Sequence, residues 1–274
     1  MNDPRPYGTH APVGFARWAI ERTRALPDRW AARRLAFLLR RAAIRTLNGS
    51  PVDVEALGAK MRLCPYNNVC EKRILFTPQF FDPRERALLS SRIRDGFTFV
   101  DIGANVGAYS LFVAARAGGT ARILAVEPQP EIFDRLAYNI SLNPFGTIKA
   151  VDCAVADKTG ELTLFLDPRN KGESSVKLVA SSQGGSVRVP AVTLLDLLNQ
   201  EGFSKVDAIK LDVEGAEDLI LDPFFRNAPT SLHPELLLVE NGQRQWQIDL
   251  GRLLTRQGYR QIARTRMNLV YERS

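Results

Sequence analysis

Four apolar runs in this chain give way to a carboxylate, and chemistry is expected at those ends. Thr98 to Gly107 reads T-F-V-D-I-G-A-N-V-G, so Asp101 lies one residue before a turn that contains Gly103 and Gly107. Ile123-Leu124-Ala125-Val126 ends in Glu127. Val206 to Asp212 reads V-D-A-I-K-L-D and continues into Val213-Glu214-Gly215-Ala216-Glu217, and Leu236 to Val239 ends in Glu240. Phe97, Phe99, Val100 and Ile102 suit a strand buried on both faces. Gly103 can take a positive φ and lets the backbone approach a ligand. After Gly107 the apolar residues Leu111, Phe112 and Ala115 recur at helical spacing. The turn therefore sits at a helix N-terminus, where unpaired N–H groups attract an anionic group.

A nucleoside-bearing cofactor fits this arrangement, because an acid ending the next strand can hold ribose hydroxyls. A dinucleotide does not. The G-x-G-x-x-G fingerprint placed on Gly103 needs glycine at Asn105 and Ala108, and neither position has it. The spacing from Gly103 to Gly107 suits S-adenosylmethionine better, with Asp101 orienting the turn and reaching the methionine amino group and Glu127 accepting from the ribose. Asp152, Cys153 and Ala154 end a third strand, where the adenine ring is expected. Asp152 can accept from its exocyclic amine or simply form a turn.

The chain resembles the FkbM-type methyltransferases, which methylate hydroxyl groups with S-adenosylmethionine. The matching pieces are V-D-I-G-A-N-V-G at 100–107, V-E-P at 126–128, T-L-L-D at 193–196 and I-K-L-D-V-E-G-A-E at 209–217. The resemblance covers roughly Gly96 to Leu238. It implies a Rossmann-like class I methyltransferase fold, with Asp101, Gly103, Asn105, Gly107, Glu127, Pro128, Asp152 and Ala154 around the cofactor. Glu173, Ser174 and Ser175 are similar to the family's small polar insertion motif, which makes Ser174 and Ser175 candidates to meet an acceptor hydroxyl. One departure is plain. Family members often carry a histidine shortly after the acid that ends the fifth strand, whereas Glu240 here runs into Asn241-Gly242.

Methyl transfer asks the protein to align an oxygen and accept its proton. Asp212 is the first choice for that proton. Glu214 shares the task or helps hold a divalent cation that lowers the hydroxyl pKa, and Glu240 stands close by. No metal site is assigned. Capping the helix that begins near Ala216 is the competing reading for Asp212 and Glu214, and Lys210, inside a strand, is expected to pair with an acid. His10 is expected in a disordered tail and His233 in a loop, so neither supports a Ser-His-Asp hydrolase.

These residues need an α/β scaffold, a doubly wound and mostly parallel seven-stranded sheet. Core strands are expected near 97–102, 122–127, 147–152, 206–212 and 235–240, closed by an antiparallel hairpin of Tyr259–Ile262 and Asn268–Tyr271. Alternating residues at 162–165 and 187–189 flank a polar insertion, Arg169 to Gly185. Residues 1–48 read as a basic helical extension, 49–95 as a strand-rich lead-in followed by a helix, and 96–274 as the methyltransferase domain.

Charge is unevenly spread. Residues 1–48 hold ten arginines against three acids, whereas the remaining 226 residues hold 27 basic and 27 acidic side chains, so the net +7 lies wholly in the extension. A basic helix with an apolar stripe can pack on the enzyme body or lie on an anionic membrane as a peripheral contact. No aromatic-lined groove or RNA-binding module accompanies it, so nucleic acid is not the expected partner. No apolar run approaches the roughly 20 residues that span a bilayer. The first residues lack the order of a secretory signal, and Cys64, Cys70 and Cys153 read as reduced thiols, all in keeping with a cytoplasmic protein. A small-molecule or glycan acceptor is the expected partner. The alternatives are a cofactor-binding scaffold without turnover and a nicotinamide-dependent oxidoreductase.

Overall fold

The structure, a computed structural model, describes residues 5–166, 174–175 and 185–274. Helices α1 (Gly14–Arg24) and α2 (Trp30–Thr46) precede a hairpin of β1 (Val52–Ala56) and β2 (Ala59–Leu63). Then come α3 (Val69–Phe76), a 3-10 turn at Pro78–Phe80 and α4 (Pro83–Ser90). The core alternates β3 (Thr98–Ile102), α5 (Ala108–Ala117), β4 (Arg122–Val126), α6 (Pro130–Ser141) and β5 (Ile148–Val151). An insertion of β6 (Ala154–Ala156), β7 (Gly160–Leu166), β8 (Ser174–Ser175) and β9 (Ser186–Thr193) follows. The chain ends through α7 (Leu194–Gln200), β10 (Ala208–Leu211), α8 (Glu217–Asn227), β11 (Leu236–Glu240), α9 (Leu250–Arg256), β12 (Tyr259–Arg264) and β13 (Asn268–Arg273).

The seven-stranded sheet runs β12-β13-β11-β10-β3-β4-β5, with β13 alone running opposite to the others. Chain order proceeds outward from β3 through β4 to β5, then returns to β10 on the other side of β3. Ligands in open α/β sheets lie at such a reversal, beyond the carboxyl ends of the strands. A separate four-stranded sheet, β6-β9-β7-β8, forms the insertion.

Period-two alternation divides the sheet residues between two cores. Phe97, Phe99, Ala208, Leu236 and Leu238 face one cluster, and Val100, Ile102, Ile209, Leu211, Leu237 and Val239 face the other. Asp101, Lys210, Asp212 and Glu240 continue the first set. The pleat therefore delivers four charged side chains to one face at one end of the sheet. Ala19, Ile20, Val52 and Phe76 belong to that same cluster, so the N-terminal elements and the sheet share apolar contacts.

Two expectations are corrected. The lead-in is not strand-rich throughout, because Val69–Phe76 is an α-helix and Pro78–Phe80 a 3-10 turn. Asn68 caps α3 by accepting from Glu71 N, and this local bond outweighs the strand-like run Ile74-Leu75-Phe76. Residues 5–12 are tied down rather than loose. Arg62, in a buried ion pair with Asp53, donates to the carbonyls of Arg5 and Pro6, while Asp53 Oδ2 accepts from Gly8 N and His10 N. Among the described residues no helix is long and apolar enough to cross a membrane.

Candidate active site

The cleft opens over the carboxyl ends of β3, β4 and β10. At its floor Asp101 is buried. Its Oδ2 accepts from Ser110 N at 3.1 Å and Ser110 Oγ at 2.7 Å, while its Oδ1 is buried with no partner among the described residues. One oxygen thus fixes the first turn of α5, and the other is left for a donor in the cleft. Burial pushes this carboxyl up, and the nearby Lys210 ammonium opposes the shift.

Gly103 adopts φ +76°, and a Cβ there would meet the Asp212 carbonyl oxygen at 2.0 Å. Its smallness serves the packing of the turn against the end of β10. Gly107, at φ +92°, is the N-cap of α5, and its missing Cβ leaves space for Leu136. Asn105 also takes a positive φ, and its N–H donates to Glu127 Oε2 at 2.9 Å.

Glu127 lies one residue past β4. Its Oε1 accepts from Gln129 N at 3.0 Å, and each oxygen keeps a second lone pair for a hydroxyl. Burial, opposed by these two backbone hydrogen bonds, pushes the carboxyl up to about 7. Pro128, Cys153, Ala154 and Val155 line the same wall. Asp152 does not line it. It is exposed at the step from β5 to β6, where the following Cys153 takes the inward position.

Beyond the floor, Lys210 Nζ is buried and donates to Asp212 Oδ2 at 2.8 Å, the acid pairing expected from sequence, and Asp101 stands across from it in the parallel register. Asp212, Glu214 and Glu240 converge, with one oxygen of each within 4.8 Å of the others. Glu240 Oε2 accepts from Glu214 N, and Glu214 is held at φ +57°. Burial first, then repulsion from Asp212, Glu214 and Glu217, pushes the Glu240 carboxyl up to about 9. A shared proton or a bound cation relieves such crowding.

Neither Asp212 nor Glu214 caps α8. The turn before it is ordered by Glu217, whose Oε1 accepts from Val213 N and Gly215 N and whose Oε2 accepts from Trp246 Nε1 at 2.7 Å. Gly242, in the segment where the chain departs from the family's histidine, is packed against Trp246 and Glu217 so tightly that an added Cβ would lie 2.7 Å from the indole nitrogen.

Several cleft residues were not anticipated. Asn68 Nδ2 donates to Asn105 Oδ1 at 2.8 Å, tying the lead-in to the glycine turn. Tyr109 OH donates to Asp82 Oδ2, and Asp82 Oδ1 pairs with Arg73 at 2.7 Å. Met267 and Asn268 complete the rim from the closing hairpin. The Asn68-x-x-Glu71 cap was the one readable signal, since the others depend on tertiary contact. Ser174 and Ser175 form the short strand β8 beside Phe165 and Leu166, and Glu173 lies outside the described residues.

An uncommon pH response is expected. Glu127 titrates near 7 when folded and near 4.5 when unfolded. Its contribution to stability is therefore present below about 4.5 and lost as pH rises through about 7. Ribose binding works the other way, because the ionised carboxylate is the better acceptor. Acidification from pH 8 to 6 should raise the melting temperature of the ligand-free chain yet weaken its affinity for S-adenosylhomocysteine. Glu127→Gln should reduce both slopes, leaving in the stability slope the share of other raised carboxyls such as Glu240. Calorimetry across that range checks it, and parallel slopes in wild type and variant would contradict the assignment.

Comparison with known proteins agrees with this geometry. A family model described as Methyltransferase FkbM domain matches residues 101–272. The chain is 33% identical over 147 residues to Methyltransferase sdnD of Sordaria araneosa, covering 43% of this chain and 56% of that protein. It is 26% identical over 117 residues to Hexuronic acid methyltransferase AglP of Haloferax volcanii, covering 43% of this chain and 45% of that one. The chain thus spans about half the length of these curated relatives. Among solved structures, the METTL16 MTase domain superposes with a TM-score of 0.50 at 16% identity, over 86% of this chain and 79% of that one, a likeness of fold.

Proposed function

The chain belongs to the FkbM-domain methyltransferases, S-adenosylmethionine-dependent enzymes, and from that premise we propose that it methylates a hydroxyl oxygen on a saccharide, glycolipid precursor or secondary metabolite. The observation that carries the reading is the division of carboxylates within one cleft. Asp101 and Glu127 face the cofactor side, and Asp212, Glu214 and Glu240 crowd the neighbouring rim.

The residues fit the cofactor. Asp101 Oδ1, buried and without a partner among the described residues, suits the methionine amino group, and the remaining lone pairs of Glu127 suit the two ribose hydroxyls. Asn105 and Pro128 line the wall between them, Ala154 lies where the adenine is expected, and Gly107, expected among the cofactor residues, does not line the cleft and instead makes room for Leu136 behind the turn. When bound, the sulfonium supplies an already activated methyl group. Asp212, oriented by Lys210, accepts the proton of the acceptor hydroxyl. Burial and the neighbouring acids push the Glu240 carboxyl up, which favours its neutral form and lessens the negative charge of the rim. A divalent cation held by Asp212, Glu214 and Glu240 is a second form of the same rim, favoured by their convergence. The acceptor is a neutral polyol on this reading, since the rim is rich in acids.

The oxidoreductase alternative falls to the family assignment, and a scaffold that binds without turnover is separated by assay. Purified chain with labelled S-adenosylmethionine and a fractionated extract should give a labelled product whose mass increases by one methyl on oxygen. Label on nitrogen or carbon, or transfer to none of the fractions, would contradict the proposal. The cytoplasm, where the free Cys64, Cys70 and Cys153 stay reduced, is the location proposed with it.

A further inference from the structure

Helices α1 and α2 leave large apolar residues in water. On α2, Ala36 and Ala43 are 4% and 0% exposed, whereas Trp30, Phe37 and Leu38 are 71%, 54% and 63% exposed. Leu39, Ile44 and Leu47 already meet the core from the inner side, so these exposed residues form a second apolar face. The first helix repeats the pattern. Ala16, Ala19 and Ile20 point inward, and Phe15 and Trp18 stay exposed with ring centroids 5.5 Å apart. A contiguous exposed apolar surface of this kind marks a place of contact.

Arginines share that surface. At 3.6 residues per turn, positions 30, 34, 37, 38, 41 and 45 fall in one stripe, which mixes Trp30, Phe37 and Leu38 with the exposed Arg34, Arg41 and Arg45. The Arg34 guanidinium lies 4.5 Å from the Trp30 ring centre, and that of Arg40 lies 5.0 Å from Phe37. The whole charge excess of the chain lies in residues 1–48, while the rest is balanced.

Charge and apolarity together select the occupant. A second copy would bring like charge against like. A nucleic acid would supply phosphates and bases to stack on Trp30 and Phe37, but it offers no hydrocarbon to cover the aliphatic Leu38 and Val13. An anionic bilayer supplies phosphates with hydrocarbon just beneath them, and a helix of 17 residues with five arginines beside Trp30, Phe37 and Leu38 can lie in that boundary without spanning it. We propose that the α1–α2 surface seats the enzyme on anionic lipid, with Trp30, Phe37 and Leu38 entering the headgroup boundary and Arg34, Arg41 and Arg45 meeting lipid phosphates.

Vesicle sedimentation of the full chain tests this. Partition onto vesicles of phosphatidylcholine with about one third phosphatidylglycerol should exceed partition onto pure phosphatidylcholine by roughly tenfold or more, and should weaken as salt rises. Tryptophan emission should shift to the blue on binding. The triple variants Trp30→Ser/Phe37→Ser/Leu38→Ser and Arg34→Gln/Arg41→Gln/Arg45→Gln should each lose about tenfold or more in partition. Their affinity for S-adenosylhomocysteine should stay unchanged, which shows that they fold. Equal partition of wild type and both variants would overturn the proposal. So would indifference to lipid charge, or binding of duplex or single-stranded nucleic acid without binding of vesicles.

Discussion

Asp212→Asn should reduce turnover by roughly 100- to 10,000-fold while leaving affinity for S-adenosylhomocysteine nearly unchanged, because the change removes the proton acceptor and keeps the shape. The geometry separates the two effects. Asp212 is held from one side by Lys210 Nζ at 2.8 Å, and its backbone N–H donates to the Ile102 carbonyl. An amide can occupy the same place, but it cannot take the hydroxyl proton. The proposed cofactor contacts at Asp101, in β3, and Glu127, just past β4, lie on other segments and should not move. Kinetics and binding on the same preparation decide the matter. Full activity would remove Asp212 from the chemistry, and a matched loss of binding and turnover would make it a structural residue.

Gly103→Ala should be the most damaging single change to the fold of the site. The new Cβ would lie 2.0 Å from the Asp212 carbonyl oxygen and 3.0 Å from its carbonyl carbon, both backbone atoms with little freedom to retreat. The left-handed φ of +76° adds strain to any side chain. Together these cost about 3 to 5 kcal/mol, which lowers the melting temperature by roughly 10 °C for a chain of this length. Gly96→Ala provides the comparison. That glycine has φ +67° with nothing within 4 Å of the added carbon, so it carries the conformational strain alone, about 1 to 2 kcal/mol. Equal destabilisation by the two changes would show that the contact between the glycine turn and β10 is not what demands glycine.

That contact also shows what could be read in advance and what could not. The runs ending in Asp101, Glu127, Asp212 and Glu240 are local patterns, and strand periodicity is enough to set each acid at a strand end. The parallel order and the closing hairpin followed from the alternation of strands and helices. Gly103 was expected to admit a ligand and does line the cleft, but its missing Cβ also admits the Asp212 carbonyl just past β10, 109 residues away, an approach that no local pattern records. Asp152 was placed one residue from the position that faces inward, an error to which short strands with indistinct ends are prone. Asn68, Asp82 and Met267 reach the cleft only because the lead-in and the closing hairpin fold over the sheet, whereas Tyr109 reaches it from the first turn of α5. Glu217 was taken as part of a motif without a role, and its bonds to Val213, Gly215 and Trp246 show that it orders the turn that carries Glu214.

The central claim is that Asp101 and Glu127 shape one cleft for a sulfonium nucleoside beside the acids that accept the proton. Calorimetric titration of the purified chain with S-adenosylhomocysteine tests it most directly. The expected result is saturable binding at one site per chain, undisturbed by excess NADH and weakened in Glu127→Ala by about 1 to 3 kcal/mol as the ribose loses its charged acceptor. Unchanged affinity in that variant, or displacement of the ligand by NADH, would contradict the account.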